Sequence, residues 1–308
     1  MHQTSLSRLR SAIARVSAAR PLGRVAALGP GTVRVTGLAA SACLGDRVGI
    51  PGAGPVDTGA LGGEIVAVGR DTALVLPDGR ADGIRLGGPV ELLGPATLSP
   101  DMSWIGRIID PFGNALDGKP IFQGTTPRAF RAPPPPAAER RGLGPRLATG
   151  TTAFDTLLPL VRGQRIGLFA GSGVGKSSLL AKFARGVQAD VVVIALIGER
   201  GREVGEFVRH TLGNAGMARS VVVTATSDQP ALMRRRCAWA AMTVAEHFRD
   251  LGLQVLLLAD SVTRFAEAHR EIALAAGEAA SLRGFPPSMA YEIMSLAERA
   301  GPGADGSG

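Results

Sequence analysis

The hydrophobic positions of the chain follow two different patterns, one in each half, and a proline-rich stretch lies between the two halves. From residue 22 to about residue 93, short runs rich in β-branched residues alternate with Gly, Pro and Asp turns, a pattern typical of a small closed β-barrel. From about residue 149 onward, continuous apolar runs alternate with longer amphipathic stretches. Buried strands separated by helices predict a parallel sheet covered on both faces. The pattern therefore predicts an α/β domain that follows a small N-terminal β-barrel.

From these patterns we predict four regions: an N-terminal amphipathic arm at 1–20, a barrel at 21–95, a bridging segment with a Pro-rich linker at 96–148 and an α/β domain at 149–308. In the arm, apolar residues recur at helical spacing with arginines around the rest of the helix. Such a helix either packs against its own protein or binds a partner helix or an acidic membrane surface. The α/β domain is predicted to contain strands at 165–170, 191–197, 220–224 and 254–260 and helices at 176–186, 203–213 and 229–251.

The clearest functional motif is the sequence Ala-Gly-Ser-Gly-Val-Gly-Lys-Ser-Ser at residues 170–178. It lies between a predicted strand and a predicted helix, the context in which a glycine-rich loop holds phosphate groups. Backbone amides attract phosphate oxygens, Lys176 reaches the outer phosphates, and Ser177 can offer its hydroxyl to Mg²⁺. The alternative is a flexible turn without a ligand. We predict a triphosphate site formed by Gly171, Ser172, Gly173, Val174, Gly175, Lys176, Ser177 and Ser178.

Two acidic residues follow later apolar strands. Asp260 ends one of them and is predicted to hold Mg²⁺ together with Ser177. Glu199 is the first acid after another, and a carboxylate about one water away from the terminal phosphate can activate that water. Arg200 can neutralise charge on the transferred phosphoryl group. The alternative for Asp260 is a residue that caps the turn after its strand. The alternative for Glu199 and Arg200 is a salt-bridged surface turn. The predicted catalytic residues are Glu199, Lys176 and Arg200, and the predicted metal ligands are Ser177 and Asp260.

A run of three arginines, Arg234 to Arg236, opens a long predicted helix. One interpretation is a solvated basic helix face. The other is that Arg236 contacts the phosphate of bound nucleotide, and we include it among the predicted ATP-binding residues on that basis.

Composition narrows the classes of partner. The formal net charge of +8 is spread along the chain, which suits anionic partners without selecting one. Aromatic residues make up only 4%, which argues against a stacking platform for nucleic acid. Cys43 and Cys237 lie far apart, as expected in a reducing cytosol, and give no metal-ligand spacing. Because the apolar runs are strand-length and no signal peptide is evident, we expect a cytoplasmic protein without a membrane span.

Three stretches resemble the type III protein export ATPases, which are related to the catalytic subunits of rotary ATP synthases. They are residues 166–178, 195–204 and 258–266. The barrel and residues 106–118 look like the same group, so the resemblance covers nearly the whole chain. The Gly-Ser-Gly-Val form of the loop and Leu232–Arg236 resemble the flagellar branch more than the virulence branch. The resemblance implies a RecA-like P-loop core that hydrolyses ATP with Mg²⁺ to drive or assist protein export through the flagellar type III secretion apparatus.

The resemblance also implies a homohexamer, cytoplasmic and peripheral at the inner face of the cytoplasmic membrane. Its partners would be a stator-like regulatory subunit, export gate components and acidic lipid, with no nucleic acid. By motif, Lys176 and Ser177 would bind phosphate and Mg²⁺, Asp260 would be the second-strand acid and Glu199 would activate water. Arg200 and Arg236 would lie on the phosphate side.

The chain departs from this family in several places. Ala279 and Ala280 follow Glu278 where Glu-Pro-Pro is expected, and His269 replaces the usual Gln. Family members also continue past the point that corresponds to Gly308, through an adenine-stacking aromatic and an arginine finger. We therefore expect a C-terminally truncated relative that binds Mg-ATP but hydrolyses it slowly, since such a finger contributes about 10³–10⁵ in rate. The alternatives are a virulence-type export ATPase, a rotary synthase catalytic subunit, an RNA translocase and a non-catalytic nucleotide-binding chain.

Overall fold

The computed structural model describes residues 6–7, 9–10, 13, 19–54, 59–171, 173–304 and 306–308. The predicted N-terminal arm lies mostly outside these residues, and Ser172 lies outside them too. The strands are β1 (Leu22–Gly29), β2 (Thr32–Thr36), β3 (Asp46–Pro51), β4 (Ala60–Val68), β5 (Thr72–Pro77), β6 (Pro89–Pro95), β7 (Thr97–Leu98), β8 (Arg107–Ile109), β9 (Arg128–Ala129), β10 (Arg146–Leu147), β11 (Leu160–Val161), β12 (Val191–Glu199), β13 (Ser220–Thr226) and β14 (Val255–Asp260). The α-helices are α1 (Thr152–Thr156), α2 (Lys176–Gly186), α3 (Gly201–Glu206), α4 (Gly213–Met217), α5 (Ala231–Asp250), α6 (Val262–Ala275) and α7 (Ser288–Arg299), with a π-helical stretch at Phe207–Leu212 and 3₁₀ turns at Met102–Trp104 and Leu282–Gly284.

Strands β1 to β6 form a closed antiparallel barrel in the order β1-β2-β5-β4-β3-β6. Alternate residues of each strand point inward, as the period of two requires. In β2, for example, Val33 and Val35 are fully buried whereas Arg34 between them is exposed. The inward side chains form a separate apolar core. The predicted N-terminal barrel is thereby confirmed.

The second domain is built on a four-stranded sheet in the order β14-β12-β13-β8, and all neighbouring pairs are parallel. Strand β12 is buried along almost its whole length. Val193 and its alternate neighbours pack against α5 and α6 on one face, and Ile194 and its neighbours pack against α2 on the other. Burial on both faces explains why the strand is a continuous apolar run. The predicted parallel sheet with helices on both sides is confirmed.

Strand β8 comes from the predicted bridging segment and forms the edge of this sheet beside β13. A bidentate ion pair anchors it, because Arg107 Nε and Nη2 each donate to a carboxylate oxygen of Asp117 at 2.6 Å. Arg107 also donates to the carbonyl oxygens of Lys119 and Pro120. The Arg107 hydrogen bond is the main reason that the pKa of Asp117 falls to about 2. The sheet thus recruits its fourth strand from outside the region that the sequence pattern marked as α/β.

The stability that Asp117 contributes should depend on pH. Its pKa is lower in the folded state, so the contribution is present above the unfolded pKa near 4 and is lost as the pH falls toward 2. We expect Asp117→Asn to lower the free energy of unfolding at pH 7 by about 1 kcal/mol, after allowing for solvent screening. Urea unfolding at pH 7 and pH 3 should give a smaller difference at the lower pH. The exposed pair of Arg80 and Asp82 offers the control, and Asp82→Asn should change neither value.

The segment before the glycine-rich loop does not form the strand predicted at 165–170. Residues 164–170 have no strand pairing, and the side chains of Ile166 and Phe169 are 44% and 98% exposed. Gly167 interrupts the apolar run, and a β-carbon there would lie 2.7 Å from the Phe169 ring. A glycine inside a strand weakens it because it offers no side chain to pack.

Among the described residues no helix is both long and apolar enough to cross a membrane.

Candidate functional site

The glycine-rich loop leads directly into a helix, as the motif predicts. Gly173 and Gly175 have φ angles of +79° and +92°, which side chains rarely tolerate and which only Gly adopts freely. Helix α2 then begins at Lys176, with Gly175 at its N-cap. A cavity of about 480 Å³ opens beside this turn and is lined in part by Ala170, Val174 and Lys176. Ser177 and Ser178 lie in the exposed first turn of α2. The loop, the cavity and the helix N-terminus together form a site suited to an anion.

The lysine of the loop meets the acid that ends β14. Lys176 Nζ lies 2.5 Å from Asp260 Oδ1, although the two residues are far apart in sequence. The Asp260 side chain is 6% exposed and that of Lys176 is 31% exposed. Ser177, the other predicted metal ligand, follows Lys176 directly in α2. The structure therefore brings the predicted phosphate-binding cation and the predicted metal-binding acid together.

Glu199 lies at the same edge of the sheet. Strands β12 and β14 are parallel neighbours, and Leu196 of β12 is in register with Asp260 of β14. Glu199 follows Leu196 by three residues and ends β12. Because the carboxyl ends of parallel strands share one edge, the two acids emerge on the side of the sheet that holds the loop.

Glu199 is largely enclosed, with a side chain that is 17% exposed. Its burial raises the pKa of the carboxyl group, the nearby Arg264 opposes this, and a hydrogen bond with Glu203 adds to the rise. Arg264 Nη1 lies 3.1 Å from Glu199 Oε2. A carboxylate whose proton affinity is raised by burial is a suitable acceptor for a proton from water.

Arg264 was not singled out from the sequence. It stands in the first turn of α6, four residues after Asp260. The signal was present in that spacing: a helix that starts at the end of a strand carries its first-turn side chains at the same edge of the sheet.

Arg200 contributes differently from the prediction. Its Nη1 donates to Glu203 Oε1 at 2.7 Å, and its side chain is 72% exposed. The structure thus records a surface ion pair within α3 and its N-cap, and a phosphate contact by Arg200 stays a prediction.

Arg236 faces the barrel, and its position speaks against the predicted phosphate contact. The residue is 1% exposed. Its Nη2 donates to Glu64 of β4, and its guanidinium lies 4.5 Å from the centre of the Phe112 ring. Arg235 donates to the other oxygen of Glu64 at 2.8 Å. Arg235 and Arg236 therefore form a buried contact with the barrel, whereas Arg234 of the same run donates to Glu271.

Residues 150–308 match the ATP synthase alpha/beta family, nucleotide-binding domain. The chain is 45% identical over 300 residues to the flagellum-specific ATP synthase of Caulobacter vibrioides, which covers 96% of this chain and 67% of that protein. It is also 48% identical over 252 residues to the type 3 secretion system ATPase of Xanthomonas euvesicatoria, and that match covers 79% of this chain and 55% of that protein.

The fold is similar to a solved structure as well. It matches the assembled ATPase EscN in complex with its central stalk EscO, from the enteropathogenic E. coli type III secretion system. The TM-score is 0.83 at 37% identity, and the match covers 92% of this chain and 68% of EscN. The chain thus spans about half to two thirds of the length of these proteins. The similarities confirm the resemblance drawn from the sequence motifs.

Proposed function

This chain belongs to the ATP synthase alpha/beta family, and from that premise we propose that it binds Mg-ATP and hydrolyses it. The observation that carries the proposal is the meeting of Lys176 with Asp260 at 2.5 Å, beside the end of the strand that carries Glu199. These are the three groups that triphosphate hydrolysis needs: a phosphate-binding cation, a metal-binding acid and a carboxylate that can activate water.

Lys176 has to exchange partners when nucleotide binds. Its ammonium group is paired with Asp260, and triphosphate oxygens in the loop would compete for it as anions of higher charge. The glycines at 173 and 175 let the backbone turn so that amide groups are available to the phosphates. The helix dipole of α2 favours the same negative charge.

The oxygen ligands present fit Mg²⁺. The Asp260 carboxylate is buried and already holds a positive charge at its Oδ1 atom, and the Ser177 hydroxyl is a second oxygen donor next to Lys176. Carboxylate and hydroxyl oxygens are the ligands that this hard cation prefers, with phosphate oxygens as further ligands. When bound, Mg²⁺ neutralises charge on the phosphates. Ser177 and Asp260 would hold it.

Glu199 would accept the proton of the attacking water. Its burial and its place beside Asp260 at the sheet edge support this role. Ser172, Ser178 and the other loop residues would bind the phosphates through their backbone amides. Arg200 would reach the transferred phosphoryl group only after leaving Glu203.

We assign the energy of hydrolysis to protein export through a flagellar type III secretion apparatus. The match to the flagellum-specific ATP synthase of Caulobacter vibrioides covers 96% of this chain, and the match to the type 3 secretion system ATPase of Xanthomonas euvesicatoria covers 79%. The longer match favours the flagellar system over a virulence one. The similarity to an assembled ATPase bound to a central stalk protein supports assembly of several copies. We propose that they form a homohexamer at the cytoplasmic face of the membrane. Its partners would be a stator-like regulatory subunit, export gate components and acidic lipid.

Calorimetric titration of the chain with ATP tests the binding site. We expect Mg²⁺-dependent binding, which Lys176→Ala should weaken about 10- to 150-fold, since a charge-assisted contact is worth about 1.5–3 kcal/mol. Lys182→Ala is the matched control, because Lys182 is exposed on the same helix, and its affinity should equal that of the wild type. An absence of Mg²⁺-dependent binding, or equal affinities for all three proteins, would refute the site. ATP hydrolysis that RNA stimulates would indicate a translocase instead.

A further inference from the structure

Arg264 holds both the backbone and the side chain at the end of β12. Its Nη1 donates to the carbonyl oxygen of Gly198, and the same nitrogen lies 3.1 Å from Glu199 Oε2. One guanidinium nitrogen therefore ties the main chain of the strand end to the carboxylate that follows it.

The strand end is shaped to receive this arginine. Gly198 has a φ angle of +65°, and a β-carbon there would lie 3.2 Å from Arg264 Cδ and 3.4 Å from Arg234 Cδ. Both features favour glycine, because a side chain at this position would be strained and would press on the arginine stem. The arginine thus crosses the strand end at close range.

Arg264 is itself fixed relative to the metal-binding acid. Helix α6 starts directly after β14, and Ser261 caps it by accepting a hydrogen bond from the Arg264 backbone amide at 3.4 Å. Asp260 immediately precedes the cap. Arg264 is therefore held only four residues from Asp260 by the capped start of α6, and its side chain reaches Glu199.

The neighbouring arginines have other partners. Arg234 Nη2 donates to Glu271 at 2.7 Å, and Arg200 donates to Glu203. Within the described part of the chain, Arg264 is the residue that forms an ion pair with the Glu199 carboxylate.

We infer that Arg264 is a positioning residue that orients Glu199 toward the attacking water. This inference rests on the proposed ATPase function. The hydrogen bond to Gly198 fixes where β12 ends, and the ion pair fixes the direction of the carboxylate. Misplacement of a reacting group by about 1 Å costs on the order of a hundredfold in rate, so this orientation matters for hydrolysis and not for ATP affinity.

Single-turnover hydrolysis of radiolabelled ATP, together with calorimetric ATP binding, tests the role. Arg264→Gln should lower the rate about 10- to 100-fold with the ATP dissociation constant unchanged. Arg264→Lys, which keeps the charge, should recover part of the rate. Arg270→Gln is the control on the same helix, since Arg270 lies over the Phe285 ring, and it should behave as the wild type.

A double-mutant cycle separates positioning from a direct phosphate contact. In a Glu199→Gln background, Arg264→Gln should change the rate by less than about twofold, because the side chain that it orients can no longer take a proton from water. An undiminished effect in that background, or a weakened ATP affinity in Arg264→Gln, would overturn the inference. A wild-type chain that binds ATP without cleaving it would overturn the inference and leave the binding site intact. Failure to bind ATP would refute the proposed function itself.

Discussion

Replacement of Glu199 by Gln should lower ATP hydrolysis by about 10²–10⁴-fold while ATP binding persists, the range expected when a general base is removed. Glutamine has nearly the same shape and can still accept a hydrogen bond from Arg264, but it cannot take a proton from water. Within the residues that the structure describes, the loop lysine pairs with Asp260 and not with Glu199. The change should therefore appear in the rate of the chemical step and not in the affinity for nucleotide.

The measurement is phosphate release under single-turnover conditions, combined with calorimetric binding of Mg-ATP. Glu206→Gln removes an equal charge from an exposed position on α3, the helix that follows β12, and should leave both quantities unchanged. If Glu199→Gln hydrolysed ATP at the wild-type rate, another group would be the proton acceptor. If it lost ATP binding, Glu199 would belong to the nucleotide contacts.

Much of the architecture could be predicted because local patterns determine it. The alternation of exposed Arg34 with buried Val33 and Val35 is the period of a barrel strand. The unbroken apolar run of β12 requires cover on both faces, which only a central parallel strand receives. The start of α2 at Lys176 follows from the glycines before it. Gly173 and Gly175 adopt positive φ angles, and the helix begins directly after the second of them.

The errors have a different origin. An apolar run indicates a tendency toward burial but does not specify which strand it would pair with. The strand predicted at 165–170 is therefore absent from the described structure. The role of Arg236 depended on Glu64, which lies in another domain and far away in sequence. The spacing of Arg264 after Asp260 places it at the sheet edge, but its contact with Glu199 joins two different elements and is not specified by that spacing. Long-range partners of charged side chains are the part that sequence pattern does not specify.

The contact between the two domains centres on a buried carboxylate with two arginines. Glu64 of β4 receives hydrogen bonds from Arg235 and Arg236 of α5, and all three side chains are at most 5% exposed. Burial would raise the pKa of Glu64, but the two guanidinium groups outweigh it and lower the pKa overall. Burial also lowers the pKa of Arg235 to about 10, so this guanidinium group is charged at neutral pH.

Loss of the central charge should therefore destabilise the protein strongly. We expect Glu64→Gln to lower the free energy of unfolding by about 3–5 kcal/mol, because it removes the carboxylate that pairs with the buried Arg235 and leaves Arg236 only its 3.6 Å contact with Asp78. Urea unfolding measures this value. Glu91→Gln provides the comparison, since Glu91 forms an exposed pair with Arg20, and it should cost at most about 1 kcal/mol. A loss of similar size in both variants would contradict the buried network.

A triple variant distinguishes stranded charge from lost packing. Replacing Glu64 by Leu together with Arg235→Met and Arg236→Met removes the charges of these three side chains at similar volume and leaves Asp78 paired with Arg47. Such replacements of buried ionic groups are often neutral or stabilising, so the triple variant should unfold at a higher urea concentration than Glu64→Gln. If it were equally unstable, shape and not charge would hold the barrel against α5. Arg236→Met should also leave the ATP dissociation constant unchanged, because Arg236 contacts the barrel; a weakened affinity would return this arginine to the nucleotide site.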